Sequence, residues 1–161
     1  MKKLIICITT ITLVYLTSCQ KKPDVGGTAT QKMSNEWWVK LYDPGGTELT
    51  DFGHIATYNT SANTNNQIWI DDQGEIWDFK IKVNADPSNL SFSANQAVSV
   101  VDQYNIKVTV TDGKIIENGG HSKNGVITDS IYMKIEFEDD PGTVYTIRGH
   151  ARTRFAEDDY H

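Results

Sequence analysis

The stretch "IYMKIEFEDDPGTVYTIRGHARTR", residues 131–154, carries the pattern that decides the fold. Ile131, Met133, Ile135 and Phe137 alternate with Tyr132, Lys134, Glu136 and Glu138. Successive side chains of a strand point to opposite faces, so period two predicts one dry face and one wet face. "DDPGT", 139–143, then supplies the Pro and Gly of a tight turn. Beyond it Tyr145, Ile147, Gly149 and Ala151 oppose Arg148, His150, Arg152 and Arg154. The stretch reads as an antiparallel hairpin.

The same period recurs along the chain. In "SNEWWVKLYD", 34–43, Trp37 shares a face with Val39 and Leu41 and is assigned to the core. Trp38 falls with Lys40 and Tyr42, on the face that meets solvent, the terminal arginines or a partner. Trp77, Phe79, Ile81 and Val83 form a third alternating run, and Ile106, Val108 and Val110 a fourth. Shorter candidates are 54–59, 67–71, 89–93, 114–117 and 143–154, with further turn signals at "DPGGT" 43–47, "DDQGE" 71–75 and "TDGK" 111–114. Residues 94–103, "ANQAVSVVDQ", leave room for one short helix. Eight or nine short strands joined by tight turns predict an all-β domain. Its expected form is an antiparallel up-and-down barrel, with a sandwich as the alternative.

The N-terminus speaks to destination. Lys2 and Lys3 precede an apolar run over 4–16, which is interrupted by Thr9, Thr10 and Thr12. That run is too short and too polar to span a bilayer core of about 30 Å. It ends in "LTSC", 16–19, which has the form of a lipobox. The expectation is a signal peptide over 1–18, acylation of Cys19, a tether over 19–33 and a single barrel domain over 34–161. Residues 20–31, rich in Gly and Thr, would give a flexible reach of roughly 20 Å. Cys7 lies in the segment to be removed, so the mature chain is expected to hold no disulfide and no free thiol nucleophile. Removing Lys2 and Lys3 from 15 basic and 21 acidic residues leaves 13 against 21, a net charge of −8. An acidic domain is poorly suited to nucleic acid or to anionic headgroups, so membrane attachment is expected through the acylated Cys19.

Five segments, "GTATQKMSNEWWVKLYD", "HIATYNTSANTNNQIWIDD", "FKIKVNAD", "VTDSIYMKIEFEDDPGTVY" and "GHARTRFAEDDY", carry a resemblance across about residues 26–160. They resemble the Bacteroidota lipoprotein family of lipid-binding putative hydrolases. The resemblance implies a lipocalin-like, calycin-type barrel on a lipid anchor. In such barrels a first-strand tryptophan closes the floor and an arginine from the last strand packs over it. By position that pair would be Trp37 or Trp38 with Arg148, Arg152 or Arg154, although the usual Gly-x-Trp is replaced by Asn35 and Glu36. "QKK" after Cys19 lacks the acidic cluster frequent in surface-exported lipoproteins of that phylum. The expected place is therefore the outer membrane, with the periplasmic face favoured over the cell surface.

Candidate chemistry is sparse. His54, His121, His150 and His161 show no metal-ligand spacing, and neither metal nor cofactor is expected. His54 and His150 lie on candidate strands that could bring them together in space. "GGHSKNG", 119–125, sets His121 beside Ser122 without a third catalytic member. Asp71, Asp72, Glu75 and Asp78 crowd one turn, as a cation site, as paired carboxylates or as ordinary solvated acids. Arg148, His150, Arg152 and Arg154 form either an exterior stripe paired with Glu136 and Glu138, or a source of one inward cation for a fatty-acid carboxylate. The expected ligand-binding set is Trp37, Trp69, Trp77, Phe79, Tyr145 and Arg148, around a lipid or other small apolar molecule. An ester or lipid hydrolase and a protein- or glycan-binding assembly module are the alternatives. A hollow interior would favour the first two readings, and a filled one the third.

Overall fold

The computed structural model of the protein describes residues 26–160. The expected signal segment, Cys19, the tether up to residue 25 and His161 lie outside the described residues. Eight strands follow in order: β1 (Asn35–Tyr42), β2 (Gly53–Asn59), β3 (Gln67–Asp71), β4 (Lys80–Asp86), β5 (Ser91–Val98), β6 (Lys107–His121), β7 (Ile127–Phe137) and β8 (Tyr145–Ala151). Each pairs antiparallel with the next, and β1 pairs with β8 to close a barrel. The up-and-down barrel is the observed architecture, with no α-helix among the described residues.

The opening stretch is β7 and β8, and its alternation sets the packing. Ile131, Met133, Ile135 and Phe137 are at most 1% exposed. Three expectations change. Residues 94–98 continue β5 rather than forming a helix, with register slips on both sides of Ala94 and Gln96 left-handed at φ 49°. "TDGK" is no hairpin: β6 runs through it as a bulge, with Asp112 at φ 54° and a slip between Thr111 and Lys114. A Cβ on Gly113 would sit 2.3 Å from the Phe92 carbonyl oxygen, so the glycine serves a close strand approach instead of a chain reversal. Lastly, the run from Trp77 becomes a strand only at Lys80, after a turn over 72–79.

The barrel interior is filled. Ile55, Ile68, Ile70, Phe79, Val108 and Ile147 expose no surface. A void that could hold a water would leave accessible area on its walls, so none borders these side chains. Burial of such side chains stabilises the fold by about 1.5–3 kcal/mol each.

At one end, the floor, the Trp37 indole N–H donates to Thr57 Oγ1 (2.9 Å), whose hydroxyl donates to the Met33 carbonyl (2.6 Å). Met33 is fully buried and belongs to a 3-10 turn, Gln31–Met33, packed across this end. Ala29 N–H bonds Asn63 Oδ1 at 2.9 Å, so the chain is already fixed ahead of β1. The floor thus closes without an arginine over a tryptophan: Arg148 lies over Tyr42, and Arg152 pairs with Glu36 and Asp159. At the other end, the roof, Trp77 stacks parallel to Phe137 (4.4 Å, 4°) with Tyr145 beside them at 5.2 Å.

Candidate ligand cleft on the outer face

With the inside occupied, the outer face of β8 is where apolar and polar groups converge. Arg148 and His150 point outward from it. Arg148 is in register with Lys40 on β1 and Tyr132 on β7, and His150 with Trp38 and Ser130. A cleft of about 360 Å³ runs along this face, from Tyr42 and Arg148 past Phe52 and Tyr132 to Ile116, Gly120 and His121. A Cβ on Gly120 would fall 2.8 Å from His150 Cβ, so only glycine lets β6 come so near β8 here.

His150 is 6% exposed although it lies outside the barrel. The Phe52 ring meets it edge-on at 5.4 Å, Tyr160 lies at 5.8 Å, and these two rings stack on each other at 4.0 Å. Its Nε2 is buried and has no hydrogen-bond partner. Burial pushes its pKa below the ordinary 6.5, against a smaller opposing pull from Asp158, so the ring is neutral at pH 7. Arg148 is exposed, 4.0 Å over the Tyr42 ring, and pairs with no carboxylate among the described residues. The expected pairing with Glu136 and Glu138 does not form: Glu138 takes Lys107 at 2.8 Å, while Arg154 takes Glu36 at 3.4 Å. Aromatic walls with one unpaired guanidinium suit an apolar molecule that carries an anionic group.

The chain belongs to a known family. The sequence pattern of the family described as "Lipid-binding putative hydrolase" matches residues 22–156. No curated protein matches the chain.

For a member of the lipid-binding putative hydrolases, the scatter of the six expected ligand residues matters. Phe79 and Tyr145 are buried under the roof beside half-buried Trp77, and all three contact Phe137. Trp37 lies at the opposite end. Trp69 is on the outer face of β3, with Lys82 Nζ 5.0 Å and Lys80 Nζ 5.6 Å from its ring, and Arg148 points outward into the cleft. No single site gathers the six. The cleft adds Tyr42, Phe52 and Tyr132, with Tyr160 behind them. None of these carries a local signal beyond an aromatic ring near a turn, a strand or the chain end.

The remaining candidates resolve into structural roles. Ser122 Oγ donates to Asp158 Oδ1 at 2.9 Å and accepts from Val126 N–H at 3.1 Å, so its proton is engaged by a carboxylate and not by His121. Asp72 accepts from the backbone N–H groups of Ile76 and Trp77, both at 3.1 Å, and Asp78 at 2.7 Å. Asp71 pairs with Lys80 at 2.9 Å and accepts from the Tyr58 hydroxyl at 2.6 Å. Among the described residues no group of three His, Cys, Asp or Glu side chains could hold a metal ion. His54 and His150 stand on either side of Trp38 instead of meeting, since both are in register with it.

Proposed function

We propose that the protein is a cell-envelope lipoprotein, acylated on Cys19, whose barrel holds an acyl-chain amphiphile in the outer cleft along β8. The observation that carries this reading is the unpaired Arg148 in an aromatic-walled cleft, beside a barrel whose interior is full. The ligand's anionic head pairs with Arg148, and its chain lies against Phe52, Tyr132 and Ile116. A volume of about 360 Å³ falls within the ordinary range of roughly 300–1,000 Å³ for small-molecule sites. Family membership supports a lipid as ligand class. The "LTSC" motif supports the anchor, and "QKK" supports the periplasmic face of the outer membrane.

Native mass spectrometry of the protein extracted from membranes, followed by titration with a saturated fatty acid, tests the reading. Arg148→Ala should weaken binding about tenfold, the loss expected for one charge-assisted hydrogen bond, with the unfolding midpoint unchanged. A wild-type chain that carries no lipid and binds no fatty acid overturns it.

The filled interior also supports a second reading, an assembly module whose outer aromatic face holds a protein partner. A photo-crosslinker at Tyr132 that captures one defined envelope protein, in a chain free of lipid, would favour that reading. The hydrolase alternative finds no support in the His121–Ser122 pair, because the Ser122 hydroxyl is committed to Asp158.

A further inference from the structure

The β6–β7 hairpin reaches past the floor of the barrel. Val126 and Ile127 near its tip are 47% and 63% exposed, Ile116 on its other strand 50%, and Phe155 in the C-terminal segment 59%. Val126 and Ile127 are neighbours in the chain, and the hydrogen bonds of Asn124 to Glu157 and Asp158 bring the segment that carries Phe155 to the same tip, where exposed apolar side chains mark a contact surface. The tip is held rigid rather than left to fold inward. Asp158 accepts from Ser122 and from the Asn124 N–H (3.0 Å), Asn124 Nδ2 donates to the Glu157 carbonyl (2.9 Å), and Lys123 Nζ donates to the Asp159 carbonyl (3.2 Å).

The place where the chain enters the domain says what covers this surface. Residues ahead of β1 cross the floor, where Lys32 lies 3.8 Å from Glu117 of β6. Hence the described chain begins at the same end as the hairpin tip. Only six residues, 20–25, lie between Cys19 and Gly26, which makes seven backbone steps from one Cα to the other. Fully extended they span at most about 25 Å, so an acylated Cys19 would keep the floor within that distance of the bilayer.

We infer that the β6–β7 hairpin tip, with Val126, Ile127 and Phe155, is a membrane-docking element that enters the interfacial layer of the bilayer. The inference rests on the lipoprotein reading for its orientation. The domain's net negative charge leaves apolar insertion as the driving force, in place of attraction to anionic headgroups. Docked this way, the floor-side end of the cleft at Ile116 and His121 faces the lipid, which gives an acyl chain a route into it.

The test uses the full chain with one cysteine introduced at Ile127, or at Val100 near the roof as a control, labelled with an environment-sensitive dye. After reconstitution in mixed phosphatidylethanolamine–phosphatidylglycerol vesicles, the dye at 127 should shift to the blue and be quenched by bromine-labelled lipid. The dye at 100 should show neither change. Mass spectrometry of the same sample reads the acyl group on Cys19. Should Cys19 carry none, the anchor reading fails, and the dye is then read with vesicles added to an unacylated chain in which Cys7 and Cys19 are replaced by Ser, so that the introduced cysteine alone takes the dye. A blue shift there upholds docking, and like behaviour at 127 and 100 in either preparation overturns it. Val126→Ser with Ile127→Ser should lower vesicle partitioning of the unacylated chain about tenfold or more.

Discussion

Asp72 near the roof and Asp158 near the floor are both almost completely buried, at 0% and 3% exposure, yet the fold treats their charges in opposite ways. Burial is the largest influence on each and disfavours ionisation. Asp72 answers it with three backbone N–H groups from its own turn, while the nearby Asp78 charge adds to the penalty, and its pKa rises above the ordinary 3.8. Asp158 gathers the hydroxyls of Thr153 and Ser122 and the Asn124 N–H, and these donors together hold its pKa below 3.8. Depth of burial does not decide the state of a carboxylate. The donors it collects and the sign of its neighbours do.

Removing each carboxylate separates the two roles. Asp72→Ala leaves the Ile76, Trp77 and Asp78 N–H groups without their acceptor, and should cost about 2–4 kcal/mol in urea unfolding. A shift no larger than that of an exposed-residue substitution would mean the turn does not need its carboxylate. Asp158→Ala should act locally. Amide exchange at Asn124 should quicken about tenfold while the core strands keep their protection. Uniform quickening through the barrel would show that the clamp supports the whole fold and not the hairpin alone.

The pH dependence sharpens the comparison, because the two shifts have opposite signs. A raised pKa makes the Asp72 contribution complete below 3.8 and lost as pH rises through the folded value. A lowered pKa makes the Asp158 contribution complete above 3.8 and lost as pH falls through the folded value. Denaturation midpoints measured across pH should therefore change slope in opposite directions for Asp72→Asn and Asp158→Asn. The smallest effect belongs to His150. Its depressed pKa means that the folded state binds the proton less readily than the unfolded one, so stability falls as pH drops from 6.5 through the folded value. His150→Gln should flatten that acid limb and leave the rest of the profile unchanged.

Much of the fold was legible in residues 131–154 alone. Period two fixes which side chains share a face whatever the partner strand, and Ile131 to Phe137 and Tyr145 to Ala151 follow it. Less legible were the places where turn residues serve a bulge. "TDGK" has the composition of a hairpin, and only the approach of Phe92 to Gly113 shows why a glycine stands there. The candidate site was legible in part. Arg148 was singled out from its stripe, but Phe52, Tyr132 and Tyr160 reach the same face from three separate elements. Asp158, the group that engages Ser122, lies 36 residues beyond it.

The sequence by itself determined the all-β class, the inward faces of β1, β7 and β8 and the division between Trp37 and Trp38, because these follow from local backbone geometry. Trp37 is 1% exposed, whereas Trp38 on the outer face donates its indole N–H to Asp159, 121 residues away, and rests against His54 and Tyr160. Only the tertiary structure decided that the barrel is full, that a histidine outside it is buried, and that the hairpin tip is clamped. Each depends on how much space several distant segments leave one another once the barrel has closed. Residue spacing sets the direction of a side chain, while packing sets what that side chain meets.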